Sequence, residues 1–225
     1  MDAGTKIVRS CELVENVWSQ IEELGNSLAA LTESALKNGQ FDNLRGAGSS
    51  VSSFETSTSG WNHTAHGISF PVMESKRRKA TPTAWLNYQI SVFGTGIPPL
   101  AESDASVGPV VHVSFWHLPT DFDDPGLYVA FPPEWDDWEI KDERLLFWKS
   151  EKDGQFHEWT FSIRLLDLHS EDALQTSIIE PIRALLAGAQ VPVALPADLP
   201  GLVFYANTDQ GASELSLIAL KSSER

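Results

Sequence analysis

Sulfur is scarce in this chain, with one cysteine and two methionines among 225 residues. A lone Cys11 cannot close an internal disulfide, which excludes the stapled scaffolds of small secreted proteins. Positive charge is the second shortage: 16 Lys and Arg stand against 31 Asp and Glu, for a formal net charge of −15. Affinity for phosphate comes from clustered Lys and Arg, so binding to duplex nucleic acid or to an anionic membrane is not expected, and a basic protein partner is favoured instead. Long apolar runs are the third. No stretch approaches the roughly 20 residues that span a bilayer. The first thirty residues lack the basic start, apolar run and small-residue cleavage site of a secretory signal, so the cytoplasm is the expected location. Chemical signatures are also missing. Gly94-Thr95-Gly96 precedes Pro98-Pro99 and reads as a turn, no Gly-x-Ser-x-Gly elbow occurs, and no repeat of solenoid or propeller period is visible.

What is present is enough for a folded core. Hydrophobic residues make up 42% of the chain and aromatics 10%, including eight tryptophans, too much apolar surface for a disordered polyanion. Near the N-terminus, Val14, Val17, Ile21, Leu24, Leu28, Leu31 and Ala35 recur at spacings of three and four, with Glu15, Glu22, Glu23 and Glu33 opposite. That stripe predicts an amphipathic helix within residues 1–44, starting at a Ser10 N-cap and stopping at Asn38-Gly39. Its flanks, Leu13, Trp18, Gln20, Gly25, Ser27 and Thr32, lack the charge pairs that set coiled-coil register. Packing on the protein's own sheet or on another helix is therefore favoured, with a homodimer through residues 11–38 as the other use of the stripe. Residues 45–60 are rich in Ser, Gly and Thr and read as a linker or an edge strand.

From Trp85 onward the apolar period becomes two. Leu86, Tyr88, Ile90 and Val92, then Val111, Val113 and Phe115, then Leu127, Val129 and Phe131 alternate with their neighbours and predict half-buried strands. Leu145–Ser150 and Glu158–Leu166 flank Lys152-Asp153-Gly154 and read as a hairpin. A helix from Ser170 to Gly188, kinked at Pro181, and a hairpin of residues 202–206 and 214–220 complete the chain. The expectation is an α+β fold over residues 61–225: a mostly antiparallel sheet of about six to eight strands, one face on the helices and the other wet, preceded by the long helix and closed by the kinked helix and hairpin.

Three surfaces are candidates for function. On the wet face would lie Asn87, Gln89, Ser91, His112, Ser114, Trp116, Thr160, Ser162 and Arg164, a polar-ligand surface on which His112 could act as acid or base and Arg164 as an anion clamp. The run Phe131–Ile140 places Trp135 and Trp138 among Glu134, Asp136, Asp137 and Glu139, aromatic anchors ringed by carboxylates that suit a basic partner. Lys76, Arg77, Arg78 and Lys79 form an isolated basic run, a weak anion site or a solvated loop. His63 with His66, and His112 with His117, lack a third ligand at a familiar spacing, so no metal or other cofactor is expected. Asp121 or Asp124 followed by Glu139-Ile140-Lys141 resembles the acid, acid-x-lysine order of magnesium-dependent nucleases of the restriction-endonuclease type. That resemblance implies metal-assisted phosphodiester hydrolysis from those residues, the acid and lysine standing on a core strand; here Glu139 reads as part of a loop. The leading expectation is a non-catalytic interaction protein of immunity, chaperone or antagonist type, engaging a basic partner through Trp116, Trp135, Asp136, Asp137, Trp138 and Glu139. The alternative is a small-molecule or nucleotide-processing enzyme on the polar face.

Overall fold

The computed structural model describes residues 2–57, 60, 62–76, 81–93, 96, 108–124, 126–130, 138–149, 156–207 and 215–219. The chain opens with helix α1 (Ala3–Lys37) and continues through β1 (Leu44–Gly46), β2 (Val51–Thr56), β3 (His63–Glu74), β4 (Ala84–Ser91), β5 (Val110–Trp116), β6 (Trp138–Lys141), β7 (Leu145–Trp148) and β8 (Glu158–Arg164). All neighbours in the resulting eight-stranded sheet are antiparallel, in the order β1-β3-β4-β5-β8-β7-β6, and β2 also pairs with β3. The expected α+β architecture, antiparallel sheet and long N-terminal helix are present. The Ser-rich stretch takes its strand option, Val51 to Thr56 running along β3.

α1 begins earlier than its apolar stripe suggests. Asp2 is the N-cap, its carboxylate accepting from the Thr5 N–H at 2.9 Å, whereas Ser10 lies inside the helix and donates back to the Lys6 carbonyl. Asn38 and Gly39, the latter at φ 67°, end it as expected. Ile21, Leu28, Ala35 and Leu36 are buried in one core with Ile68, Phe70, Tyr88, Val113 and Phe161 of the sheet, so this part of the stripe is used internally. Gly25 lets helix and sheet meet closely, since a Cβ there would stand 2.9 Å from Ile68 Cδ1. The first turns run past the sheet and leave Ile7, Val8 and Leu13 exposed.

After β8, a 3-10 turn (Leu165–Asp167) leads to α2 (Glu171–Leu174), a π-helical turn (Gln175–Ile179) and α3 (Glu180–Leu186). Ser170 caps this run, accepting from the Ala173 N–H at 3.1 Å. Pro181 lacks the N–H that an α-helical ladder needs, and the wider π turn just before it absorbs the change of register while Ile178, Ile179 and Ile182 stay in the core. α4 (Val191–Ala194) follows. β9 (Val203–Asn207) and β10 (Leu215–Ala219) then pair as a separate two-stranded sheet, joined to the main one by the Leu202–Ile163 bridge. Among the described residues, no helix is long and apolar enough to cross a membrane.

Candidate functional site

The alternation along β4, β5 and β8 does put Asn87, Gln89, Ser91, His112, Ser114, Thr160 and Ser162 on one face, opposite the core. That face is not wet: all seven side chains are buried, Ser91, His112, Thr160 and Ser162 completely. The expectation of a solvated or open polar surface is therefore corrected. Alternation reports which side of the sheet a residue takes, and here the second side is roofed by irregular chain and by β9.

The roof is tied down by the polar residues themselves. The Gln89 side-chain amide clasps Val129 twice, Nε2 donating to its carbonyl at 2.9 Å and Oε1 accepting its N–H at 2.7 Å. Asn87 donates to the Leu118 carbonyl, and Ser69 Oγ accepts the Thr120 N–H at 2.9 Å. Residues 127–130, expected as a strand from the alternation of Leu127, Val129 and Phe131, are a loop: Val129 bonds to the Gln89 side chain of the sheet below, while Leu127 bonds to the backbone of Asp121 and Asp124; Phe131 lies outside the described residues. Gly96 presses on the same face at φ 83°, where any Cβ would run into Gln89 and Ser91.

His112 has both ring nitrogens engaged. Nε2 faces the Gly96 carbonyl at 2.6 Å, which can only accept, so Nε2 carries the proton. Burial pushes the imidazole down to about 4, which keeps it neutral, so Nδ1 accepts from Ser162 Oγ at 2.6 Å. Ser162 Oγ then accepts from the Tyr205 hydroxyl at 2.7 Å, and burial pushes that phenol up. Arg164 leaves the face at its end and binds Asp167 through Nε at 2.8 Å. Of the pair singled out as acid–base and anion clamp, His112 is thus completely buried and Arg164 is ion-paired.

Of the aromatic-acidic segment, Trp135, Asp136 and Asp137 lie outside the described residues. Trp138 and Glu139 stand on β6, an edge strand where a loop was expected. Trp138 is half-buried against a small second core of Val110, Leu146, Val203 and Tyr205. Glu139 is exposed and pairs with Lys141 at 3.2 Å, and Lys141 lies 3.0 Å above the Phe147 ring. Asp121 and Asp124 belong to the roof segment, away in the chain from this edge. Among the described residues no three His, Cys, Asp or Glu side chains gather in a way that could hold a metal. Lys76 is exposed after β3, and Arg77, Arg78 and Lys79 lie outside the described residues. Trp116 is buried, its indole N–H reaching Thr160 Oγ1 at 3.2 Å.

The open surface lies elsewhere. Between the sheet and the chain from the end of α3 to the start of α4 is a groove of about 710 Å³ lined by Phe115, Leu145, Phe147, Phe156, Trp159 and Leu185, with Lys141 and Asp142 also on its wall. A second depression of about 400 Å³ shares Phe115, Phe156 and Leu186 with it and carries Asp42 and Glu74. Sequence reasoning missed these residues because their apolar positions look like ordinary core; the only signal was a sheet of about six to eight strands served by two helices. Around the corner, His117 follows β5 and is held by Glu158, whose Oε1 accepts both its backbone N–H at 2.6 Å and its Nδ1–H at 2.7 Å. The ring stacks on Phe156 at 4.3 Å.

No protein-family model, curated protein or solved structure matches this chain.

Proposed function

We propose that this is a non-catalytic cytoplasmic protein that binds a basic protein partner, in the manner of an immunity protein, chaperone or antagonist. The observation that carries this reading is the apolar groove lined by Phe115, Phe147, Phe156 and Trp159 with Asp142 on its wall, next to a second depression that shares Phe115 and Phe156 and carries the carboxylates of Asp42 and Glu74. Such a surface suits a partner segment with apolar side chains flanked by Lys or Arg: apolar burial supplies affinity, and the carboxylates supply orientation and encounter rate. The net charge of −15 adds long-range attraction to a cation-rich partner. Lys141 and Asp142, which line the groove, follow Trp138-Glu139-Ile140 in the chain, so the acidic, Trp-rich segment from Trp135 adjoins it in sequence.

The test is capture of a partner from the native host with the full chain, followed by binding measurements on the purified pair. The expected partner is basic. Its affinity falls at least tenfold between low and high salt, again on charge reversal at Asp136, Asp137 and Asp142, and again with Phe147→Ser, while the circular dichroism of each variant matches the parent. Affinity indifferent to both salt and charge reversal would refute the reading.

A further inference from the structure

The edge of the sheet at β2 is unguarded. β2 pairs with β3, and among the described residues no strand lies along its other side. An unpaired edge presents a row of N–H and C=O groups, which native proteins blunt with charged side chains or proline. The opposite edge follows that rule, with Glu139 and Lys141 on β6. β2 reads Val-Ser-Ser-Phe-Glu-Thr, and the carboxylate of Glu55, its one charged residue, is turned to the Thr64 hydroxyl at 2.6 Å. Its register shifts only at the last step, between Glu55 and Thr56. Val51 and Phe54 are 45% and 46% exposed.

Both layers beside this edge are acidic. Phe54 points to the α1 side, where it stacks on His66 at 4.3 Å and lies by His63, whose ring meets Trp18 of α1. Glu15 and Glu22, about one turn either way from Trp18, are exposed. Ser53 points to the other side and donates to the Thr120 carbonyl at 3.1 Å, and Thr120 and Phe122 press on Gly67, the partner of Ser53. The turn carrying Asp121, Asp123 and Asp124 therefore starts over β2. Asp123 and Asp124 are exposed, and no described cation pairs with any of the three.

We propose that β2 is a docking edge for an extended segment of a basic protein, which joins the sheet as one more strand. Main-chain hydrogen bonds to the open edge supply affinity, and the alternation of side chains supplies specificity. Apolar residues of the segment face Phe54, and its Lys or Arg residues face Asp123 and Asp124. A second copy of this chain fits less well, because pairing β2 with β2 would bring two sets of these aspartates together in a molecule of net charge −15 per chain. The edge is separate from the groove, which lies against β5, β7 and β8, so the two sites stand or fall independently.

The test is fluorescence anisotropy of the full chain with capped peptides of about eight residues, read alongside amide hydrogen exchange in β2. A peptide alternating Val and Lys is expected to bind saturably, about tenfold more tightly than the same residues grouped into a Val block and a Lys block. The outward-facing amides among Ser52 to Glu55 are expected to slow on binding. Charge reversal at the exposed Asp123 and Asp124 is expected to weaken binding about tenfold, whereas Phe147→Ser in the groove leaves it unchanged. Absence of saturable binding, equal affinity for the block peptide, indifference to the charge reversal, or β2 amides unmoved at saturation overturns the proposal. Loss of binding in a Phe147→Ser variant of unchanged circular dichroism also overturns it, and places the peptide in the groove instead. Slow β2 amides in the free protein, with a light-scattering mass of two chains, would give the edge to a second copy and overturn it as well. The peptide comparison uses the unaltered protein, so it decides the matter even if a variant fails to fold.

Discussion

The Gly96 carbonyl fixes the tautomer of His112, accepting the Nε2–H at 2.6 Å, and the Ser162 hydroxyl therefore donates to Nδ1 at 2.6 Å. The same oxygen accepts from Tyr205, so one hydroxyl satisfies two buried aromatic side chains. Ser162→Ala strands both, and the expected loss is about 2–4 kcal/mol in urea unfolding at unchanged m-value, because an unmet buried polar group costs about 1–3 kcal/mol. Tyr205→Phe removes one hydrogen bond and strands no donor, for a loss of about 1 kcal/mol.

Acid sensitivity has a defined window. Burial pushes both His112 and His66 down to about 4, with the neighbouring His63 adding to the effect on His66. An imidazole with a depressed folded value takes up its proton more readily unfolded, so stability is complete above the ordinary value near 6.5 and falls as the pH drops from 6.5 toward 4. His112 alone accounts for a loss of up to about 3 kcal/mol across that range. Thermal melts between pH 7.5 and 4.5 are expected to show it. His66→Phe, which keeps a ring stacked on Phe54 where His66 now lies at 4.3 Å, should flatten the slope. An unchanged slope in that variant would count against His66 as a contributor.

Two glycines with similar backbone angles separate strain from packing. At Gly39, φ 67°, nothing lies within 4 Å of the place a Cβ would take, whereas at Gly96, φ 83°, an added Cβ meets Gln89, Ser91 and, at 3.0 Å, the Val129 carbonyl. Gly39→Ala is expected to cost about 1 kcal/mol from the left-handed conformation alone. Gly96→Ala should cost about 2–4 kcal/mol, the excess measuring overpacking of the roof. Equal losses in denaturant titrations would show that the roof yields freely.

The projecting start of α1 bears on self-association. Ile7 and Leu13 are 65% and 64% exposed, so replacing both with Glu is expected to leave the unfolding midpoint within about 0.5 kcal/mol of the parent. Light-scattering mass of the two proteins then reports on a dimer through this helix: if one forms, the double variant reduces it to monomer.

Much of this fold was legible because its residues obey one period over a useful length. The stripe from Ile21 to Ala35, the antiparallel pairing of Leu146–Trp148 with Glu158–Thr160, and the N-cap at Ser170 are local signals that tertiary packing leaves intact. Ser10 misled because the cap at Asp2 precedes turns of helix that are mostly exposed, where burial writes no pattern. Val129 misled for the opposite reason: it is buried like a strand residue, yet its backbone partner is a side chain. The site was the least legible part. Phe115, Phe147 and Phe156 look like core in a sequence, and only the place where α3 ends decides that they border an open groove.

The clasp of Gln89 on Val129 extends the cooperative unit of the protein beyond its regular elements. The Val129 amide lies in chain without a strand partner, yet it is buried and donates to a glutamine anchored in the middle of β4. Opening it requires the sheet's own side chains to let go. In deuterium exchange this single loop amide should therefore exchange as slowly as those of β4 and β5, through global unfolding, while exposed neighbours such as Asp123 and Asp124 exchange within seconds to minutes.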